Sequence, residues 1–114
     1  MRAASASPTD EPLPGPVLHI LLALGLEPAH GYAIMQRIAD RTGERVRLLP
    51  GTLYSTIRRM VADGLIEECG APGDADSDDE RRRYYRVTKR GRAAAEAATR
   101  RLALLVKLGR VFLT

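Results

Sequence analysis

The chain has little of what many catalytic, disulfide-bonded and membrane proteins require. Its 114 residues include one cysteine, no tryptophan, one phenylalanine and two histidines. A single cysteine, Cys69, excludes an internal disulfide and a cysteine zinc cluster, and it suits a reducing compartment. The longest apolar stretch, 17–26, contains His19 and is too short to span a bilayer. The N-terminus lacks the pattern of a secretion signal, so we expect a cytoplasmic protein with no membrane partner.

The histidines and the cysteine give no sign of a catalytic site. His19 lies in an apolar stretch, His30 precedes a predicted helix, and neither has a carboxylate pair or a nucleophile motif around it. Glu67 and Glu68 are expected to raise the pKa of the Cys69 thiol, which favours an inert cysteine over a redox switch. We therefore predict a protein that is not an enzyme and that uses no metal and no cofactor.

The charge balance is basic. Eighteen Lys and Arg against 14 Asp and Glu give a net charge of +4 and a sequence pI near 9.7. This is the sign expected of a protein that binds a polyanion. Apolar residues make up 45% of the chain, which is enough for one domain with a modest core and one additional dimerising element.

The sequence divides into three parts. Residues 1–12 are small, polar and interrupted by proline, which predicts a mobile N-terminal tail. Residues 13–88 have the apolar periodicity of three helices and two strands, and 89–114 hold a last helix. The predicted elements are, in order, a helix from Pro14–Pro16 to near Gly25–Pro28, a helix over Gly31–Arg41, a helix from Pro50 to about Asp63, strands at 65–69 and 82–88 joined by an acidic tip at 70–81, and a helix from Lys89 to about Phe112.

Local signals predict the helix ends and the inward faces. Gly64 is expected to end the third helix in a left-handed conformation, and Thr88 to cap the last helix. Close approach of neighbouring elements is the predicted role of Gly31, Gly51 and Gly91. The apolar residues predicted to face inward from the third helix are Leu53, Ile57, Met60 and Val61.

The predicted fold is mainly α with a small two-stranded antiparallel β-wing, the order of a winged helix-turn-helix followed by a C-terminal dimerisation helix. A helix fits the major groove of DNA, and a narrow wing can lie along the backbone or in the minor groove. Short hydroxyl side chains and an arginine occupy the face of the third helix opposite its apolar residues, namely Thr52, Ser55, Thr56 and Arg59. Arg59 and its neighbour Arg58 are candidates for contact with a base or a phosphate. A solvated helix face fits this pattern equally well.

A second basic element follows the predicted tip. Seven of the 18 basic residues fall within positions 81–92, which contain no acid. Such a run repels itself unless a counter-charge is present, and a phosphate backbone can supply one. For Arg81 and Arg82, pairing with the acids at 74–80 is as good an interpretation as DNA contact. Arg83 and Arg86 are held on a strand, and we expect these two to contact DNA.

Three segments carry a family resemblance. His30-Gly31-Tyr32 opens the second helix, Gly51-Thr52-Leu53-Tyr54 opens the third with Asp63-Gly64-Leu65-Ile66 closing it, and Tyr84-Tyr85-Arg86-Val87-Thr88-Lys89-Arg90-Gly91 follows the tip. Over about residues 13–110 the chain resembles the PadR family of transcriptional regulators.

The resemblance implies a dimeric winged-helix repressor. It implies that Tyr32, Thr52, Tyr54 and the wing arginines lie at or near the DNA backbone. The Tyr54 ring is also suited to packing while its hydroxyl reaches a phosphate. The resemblance further suggests a small aromatic or drug-like effector near the dimer interface. With four tyrosines, one phenylalanine and no tryptophan, the chain offers no stacking platform that would name this ligand.

The last helix is the predicted dimer element. It has more apolar surface than a small core can cover, through Leu102, Leu105, Val106, Leu108 and Phe112. The alternative is that all of these residues pack on the first helix. That helix is itself apolar over much of its circumference, so Leu18 and Leu22 are expected to join the interface.

A two-fold dimer would place two recognition helices ~34 Å apart on a near-palindromic operator of double-stranded DNA. The sequence thus predicts a sequence-specific transcriptional regulator, a homodimeric repressor. The alternative function is a winged-helix protein–protein interaction module without DNA binding.

Overall fold

The computed structural model describes residues 13–25, 27–70 and 83–113. The predicted tail at 1–12 and the predicted tip at 70–81, apart from Gly70, lie outside these residues. The elements follow the predicted order with one addition, and are α1 Gly15–Leu24, β1 Ala29–His30, α2 Gly31–Arg41, α3 Pro50–Ala62, β2 Ile66–Cys69, β3 Tyr84–Val87, α4 Lys89–Gly109 and a 3₁₀ turn Arg110–Phe112.

The predicted fold is confirmed as mainly α with a small antiparallel sheet and a C-terminal helix, and the sheet has three strands where two were predicted. The strand order is β1-β3-β2, and both pairs are antiparallel. Ala29 and His30 of β1 pair with Tyr85 and Tyr84 of β3. Two residues are too few to show an alternation of apolar and polar side chains, which is why the sequence did not reveal β1. Since β1 leads directly into α2, the sheet fixes the start of that helix.

The core lies where α1, α2 and α3 meet the sheet. Leu53, Ile57 and Met60 of α3 are buried as predicted, in one cluster with apolar residues of α1 and α2. Val61 is 41% exposed, so the prediction that it faces inward is wrong. A helix turns by about 100° per residue, and Val61 is therefore rotated away from the core relative to Met60. The burial leaves the outer face of α3 to its polar residues.

Two arginines of α2 hold α1 in place. Arg37 Nη1 donates hydrogen bonds to the carbonyl oxygens of Ala23, at 2.8 Å, and Glu27, at 3.0 Å. Arg41 Nη1 donates to the carbonyl oxygen of Leu22 at 3.0 Å. The carbonyls at the end of a helix have no partner within it, so these bonds satisfy α1 and fasten it to α2.

Thr88 joins the end of α3 to the start of α4. Its Oγ1 accepts a hydrogen bond from the Gly91 N–H at 3.0 Å, the predicted cap, and donates to the carbonyl oxygen of Gly64 at 2.5 Å. Gly64 has φ +77°, which confirms it as the left-handed end of the third helix. The wing and α4 are thereby fixed relative to α3.

The three glycines predicted to allow close approach differ. A Cβ at Gly91 would lie 2.0 Å from the carbonyl oxygen of Leu65, and a Cβ at Gly31 would lie 2.6 Å from the ring of Tyr54. Both predictions are confirmed. An added Cβ at Gly51 meets nothing within 4 Å, so the prediction is wrong there. Gly51 is exposed in the first turn of α3, where no other element approaches it.

Candidate nucleic-acid interface

The outer face of α3 carries the polar residues predicted from the sequence. Thr52, Ser55 and Arg59 are exposed, and Thr56 is half-buried at the edge of this face. The Ser55 hydroxyl donates to the carbonyl oxygen of Thr52 at 3.2 Å. Because its proton is used there, Ser55 has lone pairs left to accept a hydrogen bond, which suits a donor on a base edge better than a phosphate oxygen.

A cleft of about 660 Å³ lies between α3, the start of α2 and the sheet. Four residues predicted to contact DNA line this cleft, which we call the wing-side cleft: Tyr32, Tyr54, Arg58 and Arg83. Tyr32 is 63% exposed and Tyr54 43% exposed. Two guanidinium groups and two phenol hydroxyls from three elements thus share one concave surface, and all four are donors that bind phosphate oxygens.

Tyr54 reaches this position because residue 31 is a glycine. The atoms of the Tyr54 ring and hydroxyl lie 2.6–2.9 Å from the point where a Cβ of Gly31 would be. Any larger side chain at the start of α2 would displace the ring. Packing, one half of the mixed role predicted for Tyr54, is therefore observed, and the contact of its hydroxyl with a phosphate stays a prediction.

A second cleft of about 590 Å³ lies on the other side of α3, where the chain enters α1. Ser55, Thr56 and Arg59 line it together with Leu13 and the residues that follow. Arg58 and Arg59 are neighbours in sequence, yet they line different clefts because consecutive helical residues are rotated by about 100°. No acid of the described ranges lies within ion-pair distance of either arginine.

The two wing arginines lie on different sides of the wing. Arg83 immediately precedes β3, so the prediction that it is held on a strand is wrong, and it lines the wing-side cleft together with Tyr85. Arg86 lies within β3, where side chains alternate, and is therefore on the face opposite to Tyr85. The structure therefore brings Arg83 next to α3 but not Arg86. The sequence contained a signal for this difference, since one of the two arginines is at an odd position and the other at an even position.

Each wing arginine is paired with a glutamate of β2. Arg83 Nη1 lies 3.0 Å from Glu68 Oε2, and Arg86 Nε lies 2.7 Å from Glu67 Oε2. From the sequence, only the acids of the tip were expected as partners of the arginines that follow it. Glu67 is directly opposite Arg86 in the register of the two strands, a pairing that depends on how β2 and β3 align.

The charges of the Arg83–Glu68 pair affect the Tyr85 hydroxyl in the wing-side cleft. Burial raises the pKa of the Tyr85 hydroxyl, Glu68 raises it further, and Arg83 lowers it. Tyr85 is buried and lines the cleft, so it senses both members of the pair. The Glu68 carboxylate thus lies beside the cleft, in contact with one of its two guanidinium groups.

The histidine at the cleft and the single cysteine have structural explanations. His30 Nδ1 accepts a hydrogen bond from the Ala33 N–H at 3.2 Å and caps α2. The pKa of the Cys69 thiol is raised, chiefly by burial, with Glu67 and Glu68 adding to the effect and Arg86 opposing it. The sequence predicted the direction of this shift and missed its main cause, because burial depends on the folded chain.

The described ranges contain neither a candidate metal site nor a candidate membrane span. No group of three or more His, Cys, Asp or Glu side chains in them is placed to hold a metal ion. None of the helices in this part of the chain combines the length and the apolar composition of a membrane span.

The C-terminal half of α4 and the turn after it form an apolar surface. Between 47% and 87% of each large side chain is exposed in the single chain, for Leu102, Leu104, Leu105, Val106, Leu108, Val111, Phe112 and Leu113. The chain leaves about half or more of each of these side chains uncovered, so the alternative that all of them pack on the first helix is wrong. Leu104, Val111 and Leu113 were not among the predicted residues. On α1, Leu22 is 47% exposed and Leu18 is half-buried.

Comparison with known proteins agrees with this architecture. The chain is 40% identical over 92 residues to Transcriptional regulator Rv3488 of Mycobacterium tuberculosis, covering 79% of this chain and 78% of that protein. A transcriptional regulator from Clostridium thermocellum has a similar structure, with a TM-score of 0.68, 26% identity, and coverage of 87% of this chain and 90% of that one. A PadR family transcription regulator from Clostridium difficile R20291 gives a TM-score of 0.64 at 25% identity, covering 87% and 98%.

These proteins are named as regulators of transcription, in line with the prediction that the chain is not an enzyme. The model of the Transcriptional regulator PadR-like family matches residues 17–97, from the first helix through the wing into α4. Since this match spans well over half of the sequence and includes all three segments on which the resemblance was based, the chain belongs to the PadR-like family of transcriptional regulators.

Proposed function

We propose that this regulator is a homodimeric repressor that binds a near-palindromic operator in double-stranded DNA. The observation that carries the proposal is the wing-side cleft, where Arg58 of α3 and Arg83 of the wing face the same space beside two tyrosine hydroxyls. Groups of this kind bind a phosphate backbone and set the register of a reading helix. A protein–protein interaction module would not require two arginines in the wing-side cleft.

In the proposed complex, α3 lies in the major groove. Ser55, Thr56 and Arg59 contact base edges or the nearby backbone, since an arginine can bind guanine through two hydrogen bonds. Tyr32, Thr52, Tyr54, Arg58 and Arg83 contact phosphates. Arg86, on the far face of the sheet, meets the backbone only where DNA passes around the wing.

The dimer is proposed to form through α4. The exposed apolar side chains of its C-terminal half cover more than half of the circumference of the helix, with Lys107 and Arg110 on the remaining side, and an exposed apolar surface of this kind is normally buried against a partner. Leu18 and Leu22 of α1 extend this surface. A two-fold axis through the interface would set the two copies of α3 ~34 Å apart, and a bound dimer would block transcription by occupancy.

An effector would release the operator by favouring a dimer with a different spacing of the reading helices. A cleft of about 720 Å³ between α1 and α4 is the proposed place for it. Leu21, Leu22 and Ala95 line this cleft together with Arg41 and Arg92. This lining would suit a small aromatic or drug-like molecule with an acidic group.

Binding to a mixed-sequence DNA duplex at two salt concentrations tests the proposal. Each phosphate contact releases counterions, so we expect the affinity to fall steeply between about 50 and 200 mM salt. The measurement is fluorescence anisotropy of a labelled duplex. No binding at the lower salt, or an affinity that does not change with salt, would favour the protein–protein interaction module.

Alanine substitutions of Arg59 and Arg83 are expected to weaken DNA binding in different ways. Arg59→Ala should cost about 1–3 kcal/mol on an operator selected from a random DNA pool and much less on mixed sequence, because a base contact is specific. Arg83→Ala should weaken binding to all sequences alike and reduce the salt slope by about 1, as expected for a phosphate contact. Equal losses for Arg59→Ala on both duplexes would assign this arginine to a phosphate instead.

A further inference from the structure

Glu68 occupies an unexpected position for an acid. It lies on β2 directly opposite Tyr85, on the sheet face that lines the wing-side cleft. Its Oε2 accepts a hydrogen bond from Arg83 Nη1 at 3.0 Å. Half of the Glu68 side chain and 73% of the Arg83 side chain remain exposed, so the pair is open to solvent and to a ligand. The sole carboxylate in contact with a cleft arginine in the described part of the chain thus faces the proposed DNA surface.

We propose that Glu68 is an affinity-limiting residue, a competitor built into the wing that occupies the guanidinium of Arg83 until a DNA phosphate replaces it. The inference rests on the proposed DNA-binding function and adds to it a residue that limits affinity for DNA of any sequence. A carboxylate and a phosphate offer an arginine the same type of acceptor oxygens. Glu68 therefore holds Arg83 in the arrangement that a phosphate needs and opposes the approach of the phosphate by its charge.

The Arg83–Glu68 ion pair is weak enough for Arg83 to exchange Glu68 for a phosphate. An ion pair between exposed side chains contributes little to stability, so a phosphate can displace Glu68 at small cost. The backbone of DNA supplies affinity for every sequence, and each unpaired arginine facing it adds to that affinity. Keeping Arg83 paired lowers the affinity for operator and non-operator DNA alike, and it leaves the discrimination between them to α3.

Glu67 provides a matched control. It is adjacent in sequence, its side chain is 49% exposed, and it is paired with Arg86 at 2.7 Å. The pair lies on the opposite sheet face, away from the wing-side cleft. Glu67→Gln and Glu68→Gln make the same change in net charge with the same change in shape. Only the position relative to the cleft differs between them.

The experiment measures the affinity of the full chain, Glu68→Gln and Glu67→Gln for a mixed-sequence duplex at several salt concentrations. We expect Glu68→Gln to raise the affinity about three- to fivefold at low salt and to steepen the salt slope by up to about 1. Glu67→Gln should give less than half of that gain. In an Arg83→Ala background, the gain from Glu68→Gln should fall to that from Glu67→Gln, because Glu68 acts through Arg83.

Equal gains for the two glutamine variants would overturn the inference, since net charge alone would then account for both. A Glu68→Gln variant that binds no better than the full chain, or more weakly, would overturn it as well and would show that Glu68 positions Arg83 instead. Failure of the unaltered chain to bind DNA at any salt concentration would refute the proposed function and this inference together. Thermal unfolding of each variant confirms that the fold is retained.

Discussion

Replacing Gly91 by alanine is expected to lower the free energy of unfolding by about 3 kcal/mol or more. The added Cβ would lie 2.0 Å from the carbonyl oxygen of Leu65 and 3.0 Å from Cγ1 of Val87. That carbonyl oxygen accepts a hydrogen bond from the Thr88 N–H at 3.1 Å, so it cannot move aside without breaking the link between α3 and α4. The start of α4 would have to shift as a whole.

Gly109→Ala is the matched control for this prediction. Gly109 is the last residue of α4, and a Cβ there meets nothing within 4 Å. Alanine favours a helix by up to about 1 kcal/mol over glycine, so the control should be neutral or slightly stabilising. Urea unfolding of both variants at one protein concentration measures the difference, since unfolding of a dimer depends on concentration. A Gly91→Ala variant as stable as Gly109→Ala would contradict the packing described here.

The helix boundaries were predictable because short local signals determine them. Pro50 begins α3, Gly64 ends it, and Thr88 caps α4, as the sequence predicted. Each of these residues acts on the backbone within a few positions of itself. The alternating apolar residues likewise predicted β2 and β3 to within two residues at each end.

The features that the sequence did not predict depend on contacts between distant segments. Strand β1 exists only because β3 pairs with Ala29 and His30. Glu68 meets Arg83 through the alignment of β2 with β3, across a segment of sequence without regular periodicity. The outward rotation of Val61, by contrast, followed from helical geometry alone and could have been predicted.

The sequence predicted which types of residue form the candidate site, but it did not predict which of them share a cleft. The third helix and the wing were correctly identified as the two polar elements that lie side by side. That Arg58 joins Arg83 in one cleft, while Arg59 faces the entry to α1, required the orientation of α3 in the fold. Local periodicity gives the angle between two side chains of a helix, and tertiary packing decides what each of them faces.

Apolar residues extend around the end of α4. Leu102, Leu105 and Leu108 are 47%, 56% and 63% exposed, and Leu104 and Val106 between them are as exposed. Such an exposed apolar surface on a small regulator supports the proposed dimer interface. Because these side chains cover more than half of the circumference of the helix, the proposed dimer would bury them against both a partner helix and a second surface. The exposed part of α1 next to Leu22 can provide that second surface.

Leu105→Glu is expected to raise the dissociation constant of the proposed dimer at least about a hundredfold, because an unpaired carboxylate buried in an apolar interface costs several kcal/mol. Sedimentation velocity should then find monomers, or the exposed apolar surface should leave the protein insoluble. Ala93→Glu is the control, since it places the same charge at an exposed position of α4 before the apolar segment. This variant should sediment like the unaltered chain and bind DNA with nearly the same affinity. An intact dimer of Leu105→Glu would place the interface elsewhere. If Leu105→Glu is a monomer that no longer binds the operator, while Ala93→Glu still binds it, the spacing of the two reading helices depends on α4.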